Sequence, residues 1–252
     1  MSQELSRLLG IMSRLRDPQQ GCEWDRAQTF QTIAPYTIEE AYEVADAIER
    51  GDMTELQSEL GDLLLQVVFH AQLADELDLF NFEDVAATIS DKMEARHPHI
   101  FGDDDQTDVE IRWEALKEAE RHDKGETSAM DGVANALPGL LRAEKLQRRA
   151  ARDGFDWPDT SGPAAKVREE MDELADADGD AHRLEEAGDL LFAAVNLVRK
   201  SGIAPEDALR AANAKFERRY RAMESLAGGS FASLSLGEQE TLWQAVKRAE
   251  SD

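Results

Sequence analysis

The chain has 252 residues, 42% hydrophobic and 32% charged, a globular and helix-friendly balance compatible with one large domain or two ordinary ones. Fifty-three acidic residues against 28 basic ones leave a net charge of −25, which excludes a nucleic-acid polymer as partner because no basic run is long enough to offset it. No apolar stretch approaches the ~20 residues that span a bilayer, and the single cysteine, Cys22, excludes an internal disulfide framework and points to a reducing cytoplasm.

Helical periodicity runs through nearly the whole chain. Leu5, Leu8, Leu9, Met12 and Leu15 line one face of an amphipathic first helix, which does not read as a signal peptide. A second helix is predicted over Ile38–Glu49 and stops at Gly51. Thr37 and Glu40 have capping-box spacing ahead of it, and so do Asp52 and Glu55 ahead of a third helix through Leu56, Leu60, Leu63, Leu64, Val67 and Val68. A fourth opens at Asn81 and covers Val85–Glu94. The stretch from His97 to Asp103 breaks the pattern, a short helix is expected around Trp113–Arg121, and residues 122–138, rich in Gly, Ser and Asp, read as a linker. Domains are therefore expected at 1–121 and 139–252. Cys22 is expected to be a small buried thiol.

The second half repeats the first. Gly21–Asp25 corresponds to Gly154–Trp157, Glu39–Glu43 to Glu169–Glu173, and Glu59–Leu64 to Glu186–Leu191. Lys92 and Arg96 match Lys215 and Arg219 on a helix predicted over Pro205–Ala222, and Trp113 matches Trp243. Six landmarks in constant order argue for a duplicated, all-α chain.

Within each repeat, acids gather on facing helices. Glu40 and Glu43 share one side of a helix, and Glu59 and Asp62 share one side of the next. A tight turn at Arg50–Asp52 makes these helices antiparallel neighbours. Like charges ~4 Å apart repel by ~4 kcal/mol at an effective dielectric of ~20, so such a group needs a counter-charge. Hard oxygen ligands without histidine or thiolate select Mg²⁺ or Mn²⁺. Glu170, Glu173, Glu186 and Asp189 form the same set in the second half. More than one residue in five is acidic, so an isolated EExxE would usually be a solvated helix face. The paired ExxD on the next helix, among Leu60, Leu63 and Leu64, and the repetition of both favour metal binding.

EExxE followed on the next helix by ExxD within Gly-Asp-Leu-Leu resembles the signature of the MazG family of all-α nucleotide pyrophosphohydrolases. The likeness extends through Gly21–Asp25, Arg96–Phe101 and Leu242–Arg248. It implies two tandem helical-bundle domains, a homodimer, and Mg²⁺-dependent cleavage of nucleoside triphosphates between the α and β phosphates, with broad nucleotide-pool housekeeping as the role. It also implies that Glu170, Glu173, Glu186 and Asp189 hold the metal, with Glu40, Glu43, Glu59 and Asp62 as a second set. Glu169 is the candidate for orienting or deprotonating the attacking water, so the catalytic group is Glu169, Glu170 and Glu173. Phosphate needs cations as well, and Lys166, Lys215 and Arg219 are the candidates, with Trp243 for stacking on the base. The substrate-binding set is thus Lys166, Glu169, Glu170, Asp189, Lys215, Arg219 and Trp243. Asn196 is a candidate hydrogen-bonding residue, and His97 and His99 lack a third partner for a metal. Because Lys166 and Arg168 precede the second acidic motif where the first has Tyr36 and Ile38 nearby, the second half is expected to be the main catalytic site. The connection Gly228-Gly229-Ser230 is a candidate mobile lid. Two rival readings stand beside this one. A di-iron bundle wants two Glu-x-x-His elements, where both clusters here have Glu-x-x-Asp and no histidine, and a non-catalytic acidic module would bind a basic partner protein.

Overall fold

The computed structural model describes residues 3–101, 127–229 and 231–250. Among the described residues there are α-helices and one 3-10 turn, without strands. The chain divides into two compact units, Met1–Leu116 and Lys117–Asp252. The expected helix at Trp113–Arg121, the start of the linker and Ser230 of the expected lid lie outside the described residues. No described helix is long and apolar enough to cross a membrane.

The first unit contains α1 (Gln3–Leu15), α2 (Glu23–Ala27), α3 (Phe30–Arg50), α4 (Met53–Asp75), α5 (Phe82–Arg96) and the single turn α6 (Pro98–Phe101). Helix α3 starts eight residues before the expected point. Thr29 is its N-cap, accepting from Thr32 N in a reciprocal capping box, and Pro35 is accommodated inside the helix. Thr37 is therefore mid-helix, not a cap, and its hydroxyl lies 3.1 Å from His70 Nε2 on α4. The stop at Gly51 is as expected: its φ of 68° is left-handed, and its N–H reaches Ala47 O and Ile48 O. Asp52 then caps α4 through Thr54 N and Glu55 N. Asn81 caps α5 in a box with Asp84. Pro98–Phe101, expected as a break, closes one more helical turn.

The core of this unit is made by Met12 of α1, Ile33 of α3, and Val68, Phe69 and Leu73 of α4. The apolar stripe of α4 is buried only in its second half. Leu60 and Leu64, beside the acids, are 50% and 39% exposed, so the expected apolar surround of those acids is not formed within one chain. Cys22 is exposed, not buried, because it caps the short α2 at the surface.

The second unit contains α7 (Gly139–Arg152), α8 (Ser161–Asp176), α9 (Gly179–Lys200), α10 (Pro205–Leu226) and α11 (Leu236–Ala249). The hairpin α8–α9 is the counterpart of α3–α4, and α10 that of α5. Helix α10 runs four residues beyond its predicted end at Ala222, because Met223 is buried in the unit's core. Gly228 and Gly229 lead into the 3-10 turn Phe231–Ser233, which is fastened to its neighbours. Phe231 packs edge-on against Tyr220 at 5.0 Å, and its carbonyl accepts a hydrogen bond from Gln239 Nε2.

One ion pair ties α1 to α4. Arg16 is almost buried and donates to both carboxylate oxygens of Glu76, at 2.7 and 2.6 Å, and also to the carbonyl of Asp25. The Arg16 guanidinium holds the Glu76 carboxyl below its ordinary range, against a smaller opposing effect of burial. A depressed carboxyl contributes stability above its unfolded pKa and loses it as pH falls through the folded one. With Glu76 about one-third exposed, Glu76→Gln should cost about 1 kcal/mol at neutral pH. Urea unfolding across pH should show that difference steady above about pH 5 and shrinking as pH falls below it through the folded-state value; a gap unchanged at low pH would contradict the pairing.

Candidate metal and nucleotide site

The two helical hairpins bring the predicted acids together. In the first unit Glu40 and Glu43 of α3 and Glu59 of α4 place carboxylate oxygens within 4.8 Å of one another, and in the second Glu170 and Glu173 of α8 and Glu186 of α9 do the same. Both clusters follow from helix spacing: three residues along one helix put two acids on one face, and the tight turn brings a third across from the next. Asp62 and Asp189 are not among these closest groups. Asp62 still acts on Glu40 through its charge, and Asp189 lines a cavity beside the second cluster. Burial and neighbouring carboxylates push Glu40, Glu59 and Glu173 above the ordinary carboxylate range, burial being the larger cause in each case.

The clusters differ in how they meet that repulsion. In the second unit Lys166 Nζ lies 2.6 Å from Glu170 Oε1 and 2.8 Å from Glu169 Oε1. These two carboxylates hold the lysine ammonium well above its usual pKa. Glu170 is only 3% exposed, and its Oε2 has no hydrogen-bond partner. His182 Nε2 lies 3.1 Å from Glu186 Oε1. Glu169 is exposed and turned to Lys166, outside the cluster. In the first unit the position corresponding to Lys166 is occupied by Tyr36, whose ring meets Trp24 edge-on at 6.2 Å.

A cavity of about 450 Å³ adjoins the second cluster. Glu170, Lys166 and Asp189 border it, and its apolar wall includes Leu146, Phe155, Trp157 and Phe192. Trp157 is seated over Gly162, where a Cβ would run into the indole. Asn196 is buried in the same wall; its Oδ1 accepts from Arg199 Nε and Nη2 at 3.2 and 2.6 Å. Arg199 and Lys200 also hold Asp156, whose carboxyl is thereby kept below its ordinary range.

Lys215, Arg219 and Trp243 do not border this cavity. Arg219 pairs with Glu250 at 2.7 Å and lies over the Trp243 ring at 5.4 Å, and Trp243 is half-buried against Phe216. Lys215 is exposed on the same helix α10. His97 is bound through Nδ1 to Met93 O at 2.7 Å and packs near His99; neither joins a metal-type cluster among the described residues. Sequence reasoning singles out Asn196 but misses Gln147, and it treats Phe155 and Trp157 only as repeat landmarks. The glycine at 162, five residues after the tryptophan, is a local signal that the indole has a prepared seat.

The family model of the MazG nucleotide pyrophosphohydrolase domain matches residues 28–101, which contain all four acids of the first set. The phosphoribosyl-ATP pyrophosphohydrolase model matches residues 144–216, which contain the second set. Over 261 aligned residues the chain is 51% identical to the nucleoside triphosphate pyrophosphohydrolase of Escherichia coli (strain K12), covering 99% of both chains. The chain belongs to the MazG family. It is also 42% identical to the nucleoside triphosphate pyrophosphohydrolase/pyrophosphatase MazG of Thermotoga maritima, over 95% of this chain and 94% of that one. A further relative, the Bacillus subtilis protein YabN, is 43% identical over 98% of this chain and 52% of its own length. The two halves of this MazG-family chain share one helical plan yet match different family models, so the repeat has diverged around a retained set of acids.

The seat of Trp157 gives a direct check. Gly162→Ala should displace the indole, which is already 42% exposed, lower stability by about 1 kcal/mol as mild overpacking does, and change the tryptophan emission spectrum. Wild-type emission and melting temperature in this variant would contradict the close approach.

Proposed function

We propose that the second half hydrolyses nucleoside triphosphates to the monophosphate and pyrophosphate, with Mg²⁺ or Mn²⁺ held by Glu170, Glu173 and Glu186 and with Asp189 adjoining. The relatives in Escherichia coli and Thermotoga maritima, named as nucleoside triphosphate pyrophosphohydrolases, support the reaction class. The observation that carries the choice of site is the buried Glu170 Oε2, which has no partner at the meeting point of a three-carboxylate cluster and a cavity. An unsatisfied buried carboxylate oxygen costs more than a neutral group would, and a hard divalent cation offsets it. The donor set fits that ion, being all oxygen with no thiolate or imidazole among the clustered ligands. Bound there, the metal would supply charge to the triphosphate and lower the pKa of a water.

The chain's own residues do the rest. Lys166 is placed to leave Glu170 for a phosphate oxygen once another cation takes over the carboxylate. Glu169, held to Lys166, is freed by the same exchange and is the residue proposed to orient the attacking water. The apolar wall with Trp157 and Phe192 takes the nucleoside, and the cavity size lies in the ~300–1,000 Å³ range of small-molecule sites. Lys215, Arg219 and Trp243 contribute to substrate binding in this proposal only through movement of α10 and α11 or through a second copy of the chain. The substrate range is proposed to be broad. A homodimer is proposed because Leu60 and Leu64 on α4 and Leu184 and Leu191 on α9 leave apolar side chains beside both clusters in solvent.

Two variants test the assignment to the second half. Glu173→Gln keeps the side chain's shape but removes charge, and should abolish most pyrophosphate release, whereas Glu43→Gln should leave much of it. The reverse pattern would exchange the roles of the halves. Millimolar Mg²⁺ should also raise the melting temperature of the wild type, since a ligand that binds only the folded state stabilises it, and Glu173→Gln should reduce that rise. Equal activity in excess chelator would sink the metal proposal.

A further inference from the structure

The cavity contains two buried amides whose orientation is set by chemistry. Gln147 of α7 is 6% exposed and donates through Nε2 to the backbone carbonyl of Phe192 at 2.8 Å. A carbonyl can only accept, so the NH₂ end must face Phe192 and the oxygen must face away. That oxygen, Oε1, is buried without a partner, and Gln147 is one of the residues lining the cavity. Asn196 follows Phe192 by four residues on α9, one turn further along the same helix face, and lines the same cavity. The guanidinium of Arg199 can only donate, which fixes Asn196 Oδ1 toward it and leaves the Nδ2 end for the cavity. An acceptor on α7 and a donor on α9 therefore belong to residues of the same cavity, which Arg199 also lines.

Their distance from the acids suits a nucleotide. Asp189 and Asn196 are seven residues apart on α9, roughly 10 Å along the axis, about the length of a nucleoside between its phosphate and the far edge of its base. We propose that Gln147 Oε1 is a specificity-determining acceptor that reads an N–H donor on the edge of the nucleobase, with Asn196 Nδ2 available to the adjacent acceptor. The proposal rests on the nucleotide reading of this site given above. Each ordinary base offers such an N–H, as an exocyclic amine in adenine and cytosine or as a ring N–H in guanine and uracil. The device therefore admits all four bases and rejects those whose edge has lost or blocked its donor. Leaving a buried acceptor unpaired is costly in a complex, which is why a missing donor is rejected more strongly than a missing methylene.

The test uses two substrate pairs with pyrophosphate release as the readout. ATP against purine riboside triphosphate deletes the amine, and UTP against 3-methyl-UTP blocks the ring N–H. Wild type should favour the N–H-bearing member of at least one pair by kcat/KM on the order of tenfold, and Gln147→Met should bring that ratio close to one. Loss confined to the ATP pair identifies the amine as the group read, and loss confined to the UTP pair identifies the ring N–H. Because each ratio compares two substrates on one preparation, a smaller folded fraction cancels. Should Gln147→Met fail to fold, Gln147→Leu, which also removes the acceptor, carries the same comparison. No preference in either wild-type pair, or a preference that survives Gln147→Met, overturns the proposal while leaving the hydrolase reading intact. Absence of pyrophosphate release from ATP and UTP alike would instead overturn both.

Discussion

Each helical hairpin has to hold three carboxylates at close quarters, and the packing around it answers that burden. Oxygens inside 4.8 Å carry mutual repulsion of roughly 3 kcal/mol per charged pair at an effective dielectric of ~20. The hairpins must be held closed against it. Gly51 and the Asp52 cap keep the α3–α4 turn short, and Arg50 bridges Asp46 and Glu55 on the two sides of that turn. The buried halves of the helices, with Ile33, Val68 and Phe69 in one core, supply the packing that the acidic halves cannot.

The two repeats respond differently. In the second, Lys166 sits between Glu169 and Glu170, and Glu170 is buried at the edge of a cavity. In the first, the residue at the corresponding place is Tyr36, whose ring meets Trp24. The neighbourhood of the tryptophan landmarks has diverged in the same direction. Trp24 lies on the short helix α2, whereas Trp157 lies in the irregular segment between α7 and α8 and is seated over Gly162 at the cavity. The second repeat thus has a lysine, a buried carboxylate and an aromatic wall beside its cluster, where the first has only the acids in common.

Much of this is legible in the sequence. Periodicity yields the helical hairpins, and the spacing of the acids anticipates both clusters, because helix geometry converts three-residue separations into shared faces. The beginning of α3 is not legible: Pro35 interrupts the hydrogen-bond ladder and obscures the turn and a half that Thr29 caps ahead of it. The exposure of Cys22 and Leu60 escapes for a related reason, since apolar character alone does not say which part of a stripe is covered. Arg219 and Trp243, expected to meet phosphate and base, are engaged by each other and Arg219 by Glu250, and their part in substrate binding remains a proposal. The cavity itself has no sequence signal, because Gln147, Trp157 and Phe192 come from three separate segments and show no common period.

The chemistry proposed for the second half stands or falls with which phosphoanhydride is cut. The proposal puts metal in the acidic cluster, the nucleoside in the adjoining cavity, and cleavage at the bond between the α and β phosphates. Chromatography of an ATP digest by the purified full chain with Mg²⁺ measures the outcome. AMP and pyrophosphate in equal amounts are expected; accumulation of ADP and orthophosphate would contradict cleavage at that bond.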